Sequence, residues 1–201
     1  GQGGLSHKIH VPVTTAPSTG GNLGAMEILA KLQQLELRLL VKLFRQTERR
    51  AVVPLARALS RSGDGYLHLL VPLLIGALDP ASFATLLTLV ALALGIERCL
   101  YWLVKNGLRR ARPQETLPGF RSLGVAGDRF SFPSGHSSAA FLLATCLCLL
   151  YGGIAVPMYL WACSVALSRV LLGVHYPGDI AAGAAMGSGI AVLAAGIVGV
   201  A

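Results

Sequence analysis

Three short polar clusters interrupt an otherwise apolar chain, and each combines residue types that bind phosphate or move protons. They comprise residues 105–113 (KNGLRRARP), 130–138 (FSFPSGHSS) and 168–179 (SRVLLGVHYPGD). Lysine and arginine supply the positive charges that hold a phosphate, and histidine can donate, accept or attack near neutral pH. The clusters therefore indicate chemistry on a phosphate group.

The first cluster places two cations near the end of an apolar segment. Lys105 and Arg112 are seven residues apart, about two helical turns, so their side chains can share one face. Arginine offers a planar fork of donors and lysine a compact charge, and both suit a phosphate. A basic patch that ends a membrane segment explains the same residues, so this cluster alone leaves both interpretations open.

The second cluster precedes a long apolar segment and carries the signals of a helix start. Ser134 is a typical N-cap residue, and Gly135 lets the backbone approach a ligand closely. A helix N-terminus favours an anion because its N–H groups are unpaired and its dipole is positive there. His136 would then lie beside that anion as a proton donor or acceptor. An ordinary serine cap followed by an interfacial histidine is the alternative.

The third cluster combines a cation, a histidine and a carboxylate. Arg169 falls near the end of an apolar segment, where a charge is costly and usually has a partner. His175 follows six residues later, and Asp179 comes four residues after that. A carboxylate bonded to one imidazole nitrogen fixes the tautomer and leaves the other nitrogen free to attack. The alternative is a His–Asp pair that only holds the turn.

Together the three clusters supply a complete set of groups for phosphoryl transfer. This reaction needs cations around the equatorial oxygens, a nucleophile in line with the leaving group, and an acid for the leaving oxygen. Two histidines, one aspartate, one lysine and two arginines meet these needs if their helix ends converge on one side of a membrane. We therefore predict a single shared site.

The clusters stand at the ends of apolar segments that are typical of membrane helices. Five such segments are predicted, over residues 66–78, 81–104, 134–151, 154–172 and 179–201. The first is short for a hydrocarbon layer of about 30 Å. Asp79 and Pro80 are the expected N-cap and first helical residue of the second. In the last segment, Gly183, Gly187 and Gly189 are predicted to let helices approach closely.

An amphipathic helix is predicted over residues 25–50. Its apolar stripe consists of Ile28, Leu32, Leu35, Leu39 and Leu43, opposite a polar and largely basic face. This pattern favours a helix lying on the membrane surface, and packing against the rest of the protein is the alternative. Residues 1–24 are rich in glycine, serine, threonine and proline, which predicts a flexible segment. Residues 25–201 would form a single membrane domain, with the spans and site loops in 66–201.

Composition points to the same class of protein. Only 13% of the 201 residues are charged, about half the fraction of an ordinary soluble domain, and 54% are hydrophobic. A soluble fold of this size could not bury so much apolar surface. Anionic lipid head groups explain the net charge of +8, so no nucleic acid partner is predicted. The predicted fold class is all-α, a polytopic transmembrane bundle of five or six membrane helices with an N-terminal amphipathic interfacial helix.

The distribution of basic residues predicts an orientation. The amphipathic helix and the three clusters fall on one side of the membrane, whereas the turns at 79–81 and 152–153 on the other side contain no basic residue. The positive-inside rule then places the site on the cytoplasmic face of the cell (inner) membrane.

In this order, the patterns K-x6-R-P, P-S-G-H and S-R-x5-H-x3-D resemble the three-part signature of the type 2 phosphatidic acid phosphatase superfamily. That family includes membrane lipid phosphatases and, distantly, vanadate-dependent haloperoxidases. The resemblance implies that His175 attacks phosphorus to form a phosphohistidine, that Asp179 orients it, and that His136 protonates the leaving oxygen and then activates water. The phosphate-binding residues that it implies are Lys105, Arg112, Ser134, Gly135 and Arg169. It implies no metal ion and no other cofactor.

We therefore expect a membrane lipid phosphatase. The candidate substrates are an isoprenyl diphosphate, phosphatidic acid and phosphatidylglycerol phosphate, and analogy with small family members favours the first. A lipid phosphotransferase would use the same residues, and a non-enzymatic lipid-binding or transport protein would need only the anion site. The sequence does not determine the oligomeric state.

Overall fold

The computed structural model describes residues 23–200, and all their regular structure is helical. The α-helices are α1 (Leu23–Phe44), α2 (Val52–Ser62), α3 (Leu67–Leu78), α4 (Pro80–Leu108), α5 (Pro113–Thr116), α6 (Gly135–Tyr151), α7 (Pro157–Leu171) and α8 (Pro177–Val198). The predicted flexible segment 1–24 lies outside the described residues, except for Leu23 and Gly24, which begin α1.

The predicted helical membrane bundle is confirmed. Three described segments are long and apolar enough to cross a bilayer, namely Pro80–Thr116, Gly135–Ala155 and Pro177–Val198. The α3 helix is apolar but has only 12 residues, and α7 has 15. At 1.5 Å per residue they extend about 18 and 23 Å, less than the hydrocarbon thickness.

Two helix boundaries differ clearly from the prediction, since α1 ends earlier and α4 ends later than expected. The amphipathic helix ends at Phe44 and is followed by a single 3₁₀ turn, and α2 follows as a separate helix that the periodicity did not reveal. The α4 helix continues past the apolar segment to Leu108, because Lys105 turns its charge toward Tyr101 and the loop rather than toward lipid. Asp79 caps α4 as predicted, accepting a hydrogen bond from the Ser82 amide.

Close packing of α6 against α8 forms the centre of the bundle. A Cβ on Gly187 would lie 2.0 Å from the Ser138 carbonyl oxygen, and one on Gly183 would lie 2.5 Å from the Ser134 carbonyl oxygen. Gly189 has nothing within 4 Å of that position. The predicted close approach therefore depends on Gly183 and Gly187 and not on Gly189. It brings the N-termini of α6 and α8 side by side.

Apolar side chains also cover much of the outside of the bundle. The large exposed ones on α3, α4, α7 and α8 include Leu69, Leu73, Trp102, Leu160 and Leu193. Soluble proteins rarely expose so much apolar surface to water, so these side chains face lipid.

The α1 helix has two apolar surfaces. Its Leu40 is fully buried against Leu117, Phe120 and Tyr176, near the predicted site. Four members of the predicted stripe, Ile28, Leu32, Leu35 and Leu39, remain exposed. The helix thus packs on the protein along one edge and leaves the apolar stripe free to contact a membrane surface.

Candidate active site

The three polar clusters meet around one cavity of about 520 Å³ at one end of the bundle. Side chains or backbone from all three clusters line it, namely Arg112, Gly135, His136, Arg169 and His175. The loop between α2 and α3 closes one side. The structure therefore brings together residues that are 63 positions apart in sequence, from Arg112 to His175, as the predicted convergence requires.

The remaining predicted residues lie one layer behind the cavity wall. Lys105, Ser134 and Asp179 are buried, and their polar atoms contact residues of the site. Ser134 caps α6 as predicted, since its Oγ accepts hydrogen bonds from the amide and the hydroxyl of Ser137. The Ser134 amide in turn donates to the Asp179 carbonyl oxygen at 3.0 Å. This bond joins the second cluster to the third.

His175 and Asp179 lie together without a full hydrogen bond. The distance from His175 Nδ1 to Asp179 Oδ2 is 3.6 Å, and this nitrogen has no hydrogen-bond partner among the described residues. A small movement of the imidazole would complete the pair. The spacing thus predicted correctly that His175 and Asp179 lie side by side, and the hydrogen bond expected between them is not formed in this structure.

Three donors that the sequence did not reveal hold the Asp179 carboxylate in this position. Arg110 Nη1 donates to Oδ1 at 2.7 Å, the Tyr176 amide donates to Oδ2 at 2.8 Å, and the Ser131 hydroxyl also donates to Oδ2. Arg110 is itself held by Glu36 of α1, at 2.5 Å. The amphipathic helix therefore contributes to the orientation of Asp179.

The environment of His175 favours its neutral form. Burial lowers the pKa of His175 to about 4, because the charged imidazolium loses its hydration, and the positive charges of Arg112 and Arg169 act in the same direction. The neighbouring Asp179 opposes this shift but does not cancel it. At neutral pH the imidazole therefore keeps the lone pair that a nucleophile needs.

His136 has a carboxylate partner from outside the three clusters. Its Nε2 lies 2.8 Å from Oδ1 of Asp64, in the loop that follows α2. The buried Gly63 places this loop against the α6 and α7 helices, where a Cβ would come within 2.6 Å of Val165. Asp64 lies in the short turn between α2 and α3, and no local pattern connects it with a histidine 72 positions later.

A second loop carboxylate, Asp128, forms ion pairs with both cations of the first cluster. Asp128 lies 2.9 Å from Lys105 Nζ and 2.5 Å from Arg112 Nη2, and it accepts a further hydrogen bond from Tyr101. Burial alone would raise the pKa of Asp128, but the hydrogen bonds from Tyr101 and Lys105 and the nearby positive charges lower it. Asp128 is thus ionised at neutral pH.

Lys105 and Arg112 differ in how many donors remain for a ligand. Lys105 Nζ contacts Asp128, the Tyr101 hydroxyl and the Pro133 carbonyl oxygen, which accounts for its three N–H groups. Arg112 also bonds the Val174 carbonyl oxygen but keeps N–H groups unused in these contacts. A phosphate can reach Lys105 only if Asp128 moves.

Within residues 23–200, Arg169 keeps one guanidinium donor without a hydrogen-bond partner. Its Nη1 donates to Ser60 Oγ at 2.6 Å and its Nη2 to the Val125 carbonyl oxygen at 3.2 Å. Its buried Nε has no hydrogen-bond partner in the part of the chain that the structure describes. A buried donor of this kind is costly unless a ligand satisfies it.

No three His, Cys, Asp or Glu side chains among residues 23–200 form a group that could hold a metal ion.

The chain is similar to known phosphatases over much of its length. The family model described as PAP2 superfamily matches residues 85–200. A decaprenylphosphoryl-5-phosphoribose phosphatase from Mycobacterium tuberculosis is 30% identical over 149 residues, which cover 73% of this chain and 80% of that protein. A lipid A 4'-phosphatase from Bacteroides thetaiotaomicron is 41% identical over 66 residues, 32% of this chain and 29% of that protein.

Two solved structures share the fold. The crystal structure of Aquifex aeolicus LpxE has a TM-score of 0.66 and 27% identity, covering 80% of this chain and 94% of that one. A transmembrane PAP2 type phosphatidylglycerolphosphate phosphatase from Bacillus subtilis has a TM-score of 0.56 and 23% identity, covering 81% and 93% of the two chains. The second likeness supports the fold alone.

The helical membrane bundle and the matched relatives together place this chain among the membrane lipid phosphatases. Within that class the chain belongs to the PAP2 superfamily, whose model matches more than half of its length. The resemblance drawn from the three motifs is therefore confirmed, and so is the expected membrane lipid phosphatase.

Proposed function

We propose that this protein hydrolyses the terminal phosphate of a lipid phosphate or diphosphate through a phosphohistidine. His175 attacks phosphorus, the bond from phosphorus to the leaving oxygen breaks, and that oxygen takes a proton from His136. Water then attacks the phosphohistidine and gives a proton to His136, and phosphate leaves as the N–P bond breaks. One observation carries the proposal: both histidines line the same cavity, together with Arg112 and Arg169.

The surrounding residues have distinct roles in this scheme. Arg169 offers its unpartnered Nε to the phosphate, and Arg112 offers the N–H groups that its present contacts leave over. Lys105 binds phosphate once Asp128 moves, with the start of α6 at Ser134 and Gly135 completing the cradle. Asp179 aligns His175, and Asp64 stabilises the protonated form of His136 as the acceptor of its hydrogen bond.

The substrate that we favour is an isoprenyl diphosphate. The M. tuberculosis relative is named for a decaprenyl lipid, which supports an isoprenyl tail, and its match extends over most of both chains. The diphosphate head group is proposed by analogy with small family members. Phosphatidic acid and phosphatidylglycerol phosphate remain the other candidates.

A panel of lipid phosphates tests this function and its independence from metal ions. The purified protein in detergent should release phosphate from at least one of farnesyl diphosphate, phosphatidic acid and phosphatidylglycerol phosphate. Because the cations of the site are side chains, the rate should stay within about twofold in excess EDTA. His175→Ala serves as the control preparation. Complete loss of activity in chelator, restored by a divalent cation, would contradict the metal-free mechanism.

The loss of activity at acidic pH should follow the protonation of His175. Protonation removes the nucleophile, so activity is lost as the pH falls through the pKa of His175, which burial lowers to about 4 from 6.5. The rate of phosphoenzyme formation should therefore persist down to about pH 5. It can be measured by rapid quench, with the ionisation of the substrate determined separately by ³¹P NMR. A limb centred at pH 6.5 would argue against His175 as a buried nucleophile.

We further propose that the site opens at the cytoplasmic face of the cell membrane. A single cysteine at Gln114, which is exposed beside the site, should react with an impermeant maleimide in inverted vesicles and not in right-side-out ones. A cysteine at Gly153, in the turn at the other end of the bundle, should show the opposite pattern. The four native cysteines must first be replaced. Labelling of the Gln114 position only in right-side-out vesicles would reverse the proposed orientation.

A further inference from the structure

A second cavity adjoins the active-site cavity on the side of α2. It has a volume of about 440 Å³ and shares Asp64, Gly127, His136 and Arg169 with the first. We call it the α2 cavity. Because these four residues line both cavities, the two cavities are adjacent, and the His136 and Arg169 side chains stand between them.

The α2 cavity is positively charged. Arg57 and Arg61, one helical turn apart on α2, line it together with Arg169. Neither Arg57 nor Arg61 forms an ion pair with any carboxylate whose side chain the structure describes. Arg57 instead donates to the Leu123 carbonyl oxygen at 3.1 Å, which fixes its guanidinium at the cavity. The carboxylate in the lining, Asp64, is bonded to His136.

Other features of the lining are those of an anion site. The buried Nε of Arg169 lacks a partner among residues 23–200, and the Ser60 hydroxyl lies against the same guanidinium. Arginines bind phosphate through several donors at once. A group with more than one negative charge is the ligand that this set of side chains would stabilise.

The position of His136 relates this cavity to the reaction. His136 lines both cavities, and in the proposed mechanism it delivers a proton to the leaving oxygen. The leaving group therefore begins where the two cavities join. A phosphate attached directly to that oxygen would lie beside Arg57, Arg61 and Arg169, which would stabilise the charge that it gains when the bond breaks.

We propose that the α2 cavity binds a second phosphate of the substrate, so that this protein prefers lipid diphosphates to lipid monophosphates. The inference rests on the proposed function, since it assigns the leaving group of that reaction. Arg57 and Arg61 are the specificity-determining residues, and neither belongs to the three sequence motifs.

The test compares two substrates with the same tail, farnesyl diphosphate and farnesyl phosphate. The wild-type protein should have the higher kcat/KM for the diphosphate. In the double variant Arg57→Gln/Arg61→Gln, the ratio of the two kcat/KM values should fall at least tenfold. The matched control is Arg45→Gln/Arg49→Gln, which removes two exposed arginines with the same spacing from outside both cavities and should leave the ratio unchanged.

Several outcomes would overturn the inference. A ratio that stays the same in the α2 double variant, whether both rates fall or neither does, would mean that the arginines only contribute charge near the membrane. If the ratio fell equally in the control variant Arg45→Gln/Arg49→Gln, the effect would likewise be one of general charge near the membrane. Failure of the proposed function is distinguishable, because the wild-type protein would then release phosphate from neither substrate.

A second measurement needs no variant and so does not depend on folding. Imidodiphosphate and orthophosphate can be compared as competitive inhibitors of the wild-type protein acting on farnesyl phosphate. If the α2 cavity holds a second phosphate, imidodiphosphate should bind at least tenfold more tightly. Equal inhibition constants would contradict the proposal.

Discussion

The His175→Ala variant should lose phosphate release almost completely. We expect kcat to fall by about 10³-fold to 10⁶-fold, the range seen when a nucleophile that acts with an acid–base partner is removed. The reason is structural, since among the clustered residues His175 combines a neutral, buried imidazole with a carboxylate at 3.6 Å and a place in the cavity wall. Phosphate release from the preferred lipid, measured in detergent, gives the answer.

Two controls separate chemistry from folding in this experiment. The thermal unfolding midpoint of His175→Ala should stay close to that of the wild type. The His136→Ala variant keeps the nucleophile but loses both the acid for the leaving oxygen and the group that activates water. It should therefore form slowly a phosphoenzyme that persists, and this phosphoenzyme should be labile to acid and stable to alkali. Turnover within tenfold of wild type in His175→Ala, or a trapped phosphoenzyme in that variant, would mean that another residue attacks.

The Gly187→Ala variant should destabilise the whole bundle. Its new Cβ would lie 2.0 Å from the Ser138 carbonyl oxygen and 3.1 Å from the Leu142 amide nitrogen, and these backbone atoms cannot rotate away. The α6 and α8 helices must separate, at a cost of about 1–3 kcal/mol in the free energy of unfolding. Activity should fall as well, because the same helix pair positions Ser134 and Asp179. Circular dichroism during thermal unfolding in detergent measures the effect.

Gly189→Ala is the matched control on the same helix. A Cβ at Gly189 meets nothing within 4 Å, so this change should be neutral or slightly stabilising, by up to about 1 kcal/mol from helix propensity. Equal unfolding midpoints for the two variants would show that α6 and α8 do not pack as closely as the structure describes.

Local patterns were sufficient for the class of fold and for several helix ends and helix contacts. Apolar runs predicted the membrane helices to within a few residues at most ends, and Asp79 and Ser134 cap α4 and α6 as their residue types indicate. Gly183 and Gly187 stand at the helix contact that their spacing predicted. These features depend on residues within one or two helical turns, and a linear sequence displays such neighbours directly.

Helix packing decided which partners surround the two histidines. Asp64 contacts His136 across 72 positions, and Arg110 contacts Asp179 across 69. Arg110 was visible in the first cluster, but nothing near it distinguishes a ligand of phosphate from a support for a carboxylate. Such contacts depend on how the helix ends are juxtaposed, and no periodicity or spacing reports that juxtaposition.

The sequence by itself determined that this chain is a helical membrane protein of the PAP2 superfamily, and it predicted which histidines form the proposed phosphate site, because composition, periodicity and motif order are properties of the chain read in one dimension. Only the tertiary structure showed that Asp128 forms ion pairs with Lys105 and Arg112, and that Arg57 and Arg61 line a cavity that His136 also lines. Those placements follow from the close packing of α6 on α8 and of α2 on α7. The electrostatic environment of a charged group depends on distance in space, and folding is what sets that distance.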